Sequence, residues 1–264
     1  MKITFICGSN RRNGNTDAIL EMLTGALAAK AGERGMAVES EVIHLGSKRI
    51  EMCSGCRACF ERGEAACPHK DDIASLAASM QACDLLVFAS PVYVDDVSGL
   101  MKNFIDRLAY FCHRPGFAGK PAYVIATTGS SSAARAIRTL QTALITWGFH
   151  LSGAAGFVMG ARMQKTEAKE RFGKKIGGIA SRLLRELEAS PTRQPSLLDL
   201  VVFQIQKKAW LKAGIVDGKE TYDYRYWKDN GWFDPSCSYF SPAKVNPLLN
   251  GLARLAGGIA GLFI

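Results

Sequence analysis

The sequence predicts an α/β fold: one open, five-stranded parallel sheet with helices on both faces, followed by a helical and aromatic C-terminal extension. Three observations carry that prediction. Apolar, strand-like runs and helix-periodic segments alternate five times across residues 1–189. Leu85-Leu86-Val87-Phe88-Ala89 is apolar throughout, as a strand buried on both faces requires. Beyond Ser190 the pattern changes to two apolar helices around an aromatic-rich stretch.

Each element has a local reason. Ile3 to Cys7 reads as the first strand, and the helix after it spaces Ile19, Leu20, Leu23 and Leu27 on one face. Met36 to Leu45 alternates apolar and charged residues and reads as the second strand. Residues 50–69 form a cysteine-rich connection, longer than most strand-to-helix loops, and such connections generally carry function. Lys70-Asp71-Asp72 opens a helix ending near Cys83, with acidic residues where the macrodipole favours them. After the apolar third strand come Ser90-Pro91-Val92-Tyr93 and a helix from Ser98 to Ala109. Pro121 to Ala126 is the fourth strand, Ala133 to Trp147 a helix, and Leu151 to Met159 the fifth strand. A helix from Lys165 to about Glu188 closes the first domain, residues 1–189.

With 264 residues the chain can bury one good core and carry an extension. A formal net charge of +9 favours anionic ligands, while the scattered lysines and arginines argue against nucleic acid. The N-terminus enters a strand without the apolar stretch of a signal peptide, so the expected location is the cytoplasm. Thiols stay reduced there, and the eight cysteines need a role other than disulfides.

The run Gly8-Ser9-Asn10-Arg11-Arg12-Asn13-Gly14-Asn15-Thr16 joins a strand to a helix N-terminus. Unpaired backbone N–H groups and the helix dipole converge there on an anion site. The run has neither the Gly-Lys-Ser/Thr of a triphosphate loop nor the Gly-x-Gly-x-x-Gly of a dinucleotide loop. A monophosphate fits better, and flavin mononucleotide (FMN) is the commonest such ligand on this architecture. The loops at 8–16, 90–93 and 127–132 all end strands with small polar residues, so one rim can form one cofactor site.

Cys53-x-x-Cys56-x-x-Cys59 and Cys67-Pro68 form the strongest signal. Thiolates at every third residue, with a fourth from the same loop, can wrap a [4Fe–4S] cluster. Zinc competes, although structural zinc sites usually pair two close cysteines with a distant pair. Free or redox-active thiols are the third reading. Cys7, Cys83, Cys112 and Cys237 are isolated and read as small buried hydrophobes.

Four motifs in order resemble the NAD(P)H-dependent FMN reductase superfamily of flavodoxin-like folds: the Gly8–Thr16 loop, the cysteine loop running into Lys70-Asp71-Asp72, Ser90-Pro91-Val92-Tyr93, and Lys102-Asn103-Phe104-Ile105-Asp106-Arg107. Within it the chain is most similar to the iron–sulfur flavoproteins, over roughly residues 1–185. The resemblance implies FMN with its phosphate on Ser9, Arg11, Asn15 and Thr16, and Asn13 among the cofactor-binding residues. Its ribityl chain and ring would meet Pro91, Val92 and Tyr93 on one side and Thr127, Thr128 and Gly129 on another. It further implies NAD(P)H as cosubstrate, a [4Fe–4S] cluster on Cys53, Cys56, Cys59 and Cys67, and a homodimer or homotetramer. Asn10 stands where the family often has proline, and the seven residues between Cys59 and Cys67 are at the family's long end.

The functional expectation is an FMN-dependent oxidoreductase moving electrons to a small-molecule or protein acceptor, with no side chain needed as acid or base. Its rivals are a cluster-free NAD(P)H:FMN or quinone reductase and a non-catalytic flavin carrier or redox sensor. Tyr93 reads equally as flavin neighbour or packing residue. His113 and His150 read as structural, and Asp106 with Arg107 as a local or interface ion pair. The segment Asp217–Phe240 is expected to be irregular and either to cover the flavin pocket or to pack a dimer. The apolar last helix, Leu248 to Ile264 with Gly257-x-x-x-Gly261, is expected to dock on a partner subunit rather than enter a membrane.

Overall fold

Strand order puts the future site where the sequence places it. The computed structural model describes residues 1–130, 132–160, 163–189, 194–240 and 244–260. In chain order its elements are β1 (Lys2–Cys7), α1 (Asn15–Glu33), β2 (Glu39–His44), α2 (Ala58–Glu61), α3 (Ile73–Ala82), β3 (Leu85–Tyr93), β4 (Asp96–Val97), α4 (Gly99–Arg107), β5 (Pro121–Thr128), α5 (Ala134–Thr146), β6 (His150–Val158) and α6 (Lys165–Glu188). The extension holds α7 (Leu197–Ala213), a two-stranded hairpin of β7 (Ile215–Val216) and β8 (Lys219–Glu220), α8 (Tyr222–Asp229) and α9 (Pro247–Ala260).

The parallel strands lie in the order β2-β1-β3-β5-β6, and β4 adds an antiparallel edge to the end of β3. The chain leaves β1 for β2 and then crosses back to β3. That reversal opens a crevice at the carboxyl ends of β1 and β3. Period-two alternation divides the sheet between two cores. Ile6, Leu86, Phe88 and Val124 face α3, α4 and α5 together with Met101, Phe104 and Leu140. Ile3, Phe5, Leu85, Val87 and Ile125 face α1 and α6 together with Leu20, Leu23, Ile176 and Leu183.

The five-stranded flavodoxin-like sheet agrees with expectation, with shifted ends. The third strand runs on through Tyr93, so Ser90-Pro91-Val92-Tyr93 is strand rather than loop; Pro91 still pairs in register with Thr127. The second strand is shorter than expected, covering only Glu39–His44.

The extension departs further. Residues 217–240, expected to be irregular, contain α8, because Thr221 caps it by accepting Tyr224 N–H at 3.1 Å. The aromatic rings pack among themselves and on α7: Phe203 stacks on Trp227 at 5.8 Å, and Trp232 meets Phe240 at 4.9 Å. They do not line the cleft at the strand ends. Helix α9 docks on α7 of its own chain through Ala253 and Gly257, the latter against Gln204. Leu248, Leu252, Leu255 and Ile259 form an outward row on α9, 53–79% exposed. Residue 131, residues 190–193 at the expected boundary and residues 261–264 of the last helix lie outside the described residues. Among the described residues no helix is long and apolar enough to cross a membrane.

Candidate active site

A cleft of about 520 Å³ lies at the carboxyl ends of β1, β3 and β5. Ser9, Arg11, Asn13, Asn15, Thr16, Pro91, Val92, Tyr93, Thr127, Thr128 and Gly129 all line it. The loop from three separate strands is therefore one surface. Helix α1 begins at Gly14 with no side-chain cap, leaving its first N–H groups directed at the loop side. Thr16 and Thr127 share a hydrogen bond of 2.7 Å between their hydroxyls, joining α1 to β5, and both are buried. Ser9 Oγ accepts Arg11 N–H at 3.1 Å, and Asn13 takes a left-handed conformation with φ +59°. Tyr93 is 41% exposed at the rim, so it is not a core packing residue.

Three further parts of the cleft went unread in the sequence. Gly160, Met163 and Gln164 close its far side, and Asn15 Nδ2 donates to Gly160 O at 2.9 Å. Ser98 Oγ donates to Gly8 O at 2.6 Å and also caps α4 by accepting Met101 N–H. Gly8 is required by close approach: a Cβ there would lie 2.8 Å from Met101 Cβ.

The four cysteines of the 50–69 loop line a second cavity, of about 370 Å³, together with Phe60, Glu64, His69, Arg107 and Tyr110. Cys53 and Cys56 are exposed, Cys59 and Cys67 half-buried. No three of their sulfurs lie within 4.8 Å of one another, as ligands of one zinc ion would. Cys56 has its thiol pulled below the ordinary range by the N–H of Ala58 and the Ser54 hydroxyl. Burial pushes the Cys59 thiol up, against the pull of Arg114.

Helix α4 anchors this loop. Asn103 accepts Cys53 N–H at 3.1 Å and donates to the carbonyls of Ile50 and Glu51 at 3.3 and 3.2 Å. Asp106 and Arg107, expected to form a local or interface ion pair, do not pair with each other. The Arg107 side chain points inward, donating to Asp71 Oδ1 at 3.0 Å, to Glu51 O at 2.7 Å and toward Cys67 Sγ at 3.7 Å. Asp106 points outward to Lys102 at 2.6 Å, because residues i and i+4 share a helix face. Burial works against a charged Asp71, but Arg107 and the N–H groups of Glu51 and Ile73 outweigh it and hold its carboxyl below the usual range.

The extension closes the other side of the loop. Asp223 of α8 is buried and accepts from Arg114, whose Nη1 also donates to Cys59 O at 3.1 Å and whose Nη2 reaches Glu64 at 2.8 Å. Asp223 Oδ2 also meets His113 Nδ1 at 2.7 Å, and His113 stacks on Phe60 of the loop with centroids 4.1 Å apart. His113 is structural in this sense, as expected. Gly63 has φ +93° and lies against Tyr222, whose Cε2 would be 2.9 Å from a Cβ.

A parallel sheet in the order β2-β1-β3-β5-β6, with an uncapped helix N-terminus and hydroxyl-lined strand ends at its reversal point, defines a flavodoxin-like mononucleotide-binding protein. Residues 1–164 match the family described as NADPH-dependent FMN reductase. The chain belongs to that family and is an NAD(P)H-dependent FMN oxidoreductase. It is 29% identical over 233 residues to a protein named iron-sulfur flavoprotein from Archaeoglobus fulgidus, covering 88% of this chain and all of that one. An iron-sulfur flavoprotein of Methanocaldococcus jannaschii is 36% identical over 107 residues, which is 40% of this chain and 51% of the relative. The apo form of the NADH:FMN oxidoreductase EMOB shares the fold at 22% identity and TM-score 0.53, over 72% of this chain and 91% of that one.

Proposed function

We propose that this oxidoreductase holds FMN in the strand-end cleft and a [4Fe–4S] cluster on Cys53, Cys56, Cys59 and Cys67, and delivers electrons from NAD(P)H to a small-molecule or redox-protein acceptor. One observation carries the proposal: four thiols surround a single cavity on a loop held by α4, the helix whose cap also holds the flavin loop. Asn103 sits five residues beyond Ser98, roughly 7 Å along the helix axis, so the two sites are neighbours.

The residues present suit both groups. The cleft offers a phosphate uncapped helix N–H groups, the hydroxyls of Ser9 and Thr16, and the charge of Arg11. Pro91, Val92 and Tyr93 give a ring one wall, and Thr127, Thr128 and Gly129 the other. No three of the loop sulfurs are close enough for one ion; Arg107 borders the cavity beside Cys67 and Arg114 lies behind Cys59, and both offset thiolate charge. When bound, FMN supplies hydride acceptance from NAD(P)H, and a cluster supplies one-electron transfer.

The chain's own part is positional. Ser9, Arg11 and Thr16 would fix the anionic end, and the hydrogen bond between Thr16 and Thr127 joins the first turn of α1 to the end of β5. Asn103, Arg107 and Arg114 hold the backbone of the cysteine loop at Ile50, Glu51, Cys53 and Cys59, so the thiols keep their places. No titratable side chain has to move a proton.

A second reading rests on Cys56: exposed, with a thiol easier to ionise than usual, it suits a redox-active loop in a cluster-free reductase. Anaerobic purification with flavin, iron and sulfide counted per chain decides between them. One flavin with about four irons and four sulfides supports the cluster, and one flavin with no iron supports the thiol reading. Oxidation of NAD(P)H with quinone, flavin and redox-protein acceptors then identifies the acceptor class; no turnover with any would leave a carrier. The same reading places the chain in the cytoplasm and makes it a homo-oligomer, the latter supported by the outward row of Leu248, Leu252, Leu255 and Ile259.

A further inference from the structure

We propose that Cys7, Asp17 and His44 form a separate metal site, taking one zinc-class divalent ion behind the phosphate loop. The three come from different elements: Cys7 ends β1, Asp17 lies in the first turn of α1, and His44 ends β2. Their ligand atoms all lie within 4.8 Å of one another.

The spacing is that of a coordination polyhedron. Asp17 Oδ1 is 3.6 Å from Cys7 Sγ and 3.4 Å from His44 Nδ1. Metal–ligand bonds of ~2.0 Å to oxygen and nitrogen and ~2.3 Å to sulfur give tetrahedral edges of about 3.3–3.5 Å. His44 Nδ1 is buried without a hydrogen-bond partner even though Asp17 is close, as follows if both atoms face a common point rather than each other. A buried ring nitrogen left unpaired costs stability, and a metal would satisfy it.

The surroundings complete the site. Asp17 Oδ2 accepts Asn13 N–H at 2.6 Å, which fixes the carboxylate and turns Oδ1 toward Cys7, whose thiol donates to it at 3.6 Å. A cavity of about 310 Å³ lined by Arg12, Asp17 and His44 gives an entry path and room for a water as fourth ligand. Binding would release the Cys7 thiol proton to solvent, and the resulting thiolate, with one imidazole and one carboxylate, selects zinc or cobalt over magnesium or calcium. Because Asp17 also grips Asn13, the ion would stiffen the loop on which the cleft depends.

The test is a Co²⁺ titration of the FMN-loaded full chain, with wild type compared against Cys7→Ala and His44→Gln. Both variants keep the four loop cysteines, so their difference from wild type isolates this site. The expected result is one additional cobalt per chain with thiolate-to-cobalt absorption in wild type only, and at least ~10-fold weaker binding in His44→Gln. Equal cobalt uptake and equal spectra in wild type and His44→Gln overturn the proposal, as does a wild type with no cobalt absorption at all. His44 is at the end of an edge strand, so His44→Gln serves even if Cys7→Ala fails to fold.

Discussion

Arg114 and Asp223 are 109 residues apart and form a buried ion pair that ties the extension to the cysteine loop. The pair does not stand alone, since Arg114 also holds the Cys59 carbonyl and Asp223 also meets His113. Removing one member of such a pair strands the other charge, which costs ~3–5 kcal/mol. Glu64 still reaches Arg114, so Asp223→Ala is expected to lose stability toward the lower end of that range. Denaturant midpoints measure this, and iron content should fall together with stability.

Cys56→Ala is expected to abolish iron while leaving flavin stoichiometry unchanged. Cys112→Ala, which lies outside the cavity, is expected to retain both. Iron, sulfide and flavin counts on anaerobically purified protein check the pair. Unchanged iron in Cys56→Ala would remove the cluster from the functional reading.

Thr16→Val removes one of the hydroxyls offered to the phosphate. A hydrogen bond to a charged group contributes ~1.5–3 kcal/mol, so FMN affinity should fall about 10- to 150-fold. Riboflavin, which lacks the phosphate, should bind both proteins alike. Flavin fluorescence titrations with the two ligands distinguish a phosphate contact from general damage to the cleft.

The Asp71–Arg107 pair should give the cysteine loop a pH dependence of definite sign. The folded Asp71 carboxyl is held below its usual range, so its contribution is fully present above the unfolded value of ~3.9 and is lost as pH falls through the lower folded value. Asp71→Asn is therefore expected to be less stable than wild type near neutrality, with the difference shrinking below about pH 4. Denaturation curves from pH 3 to 7 read it directly.

Gly8→Ala would place a methyl 2.8 Å from Met101 Cβ, between the first turn and α4. Overpacking of that kind costs ~1–3 kcal/mol. The thermal midpoint should drop and FMN should bind more weakly, since Gly8 O also anchors Ser98.

The parts legible in the sequence were those whose chemistry is local. Ser9 to Thr16, Pro91 to Tyr93 and Thr127 to Gly129 sit at strand ends that hydrophobic runs mark clearly, and they meet in one cleft. The four cysteines grouped by their spacing also line one cavity. Pairings across long separations were not legible: Arg107 lies 36 residues from Asp71, and nothing in Asp106-Arg107 tells which side chain turns inward. Helix α8 was hidden because its aromatic residues mask the ordinary apolar period, although Thr221 at its start was a cap signal that could have been read. Gly160 was missed because its role is a backbone carbonyl, which any residue type can supply.

The clasp of Asp223 on Arg114 also sets an order of events during synthesis. A ribosome adding ~5–20 residues per second delivers Asp223 some 5 to 20 s after Arg114. Through that interval the thiol-bearing loop already exists and β5 and β6 are being added to the sheet, while the carboxylate that will neutralise Arg114 has not yet been translated.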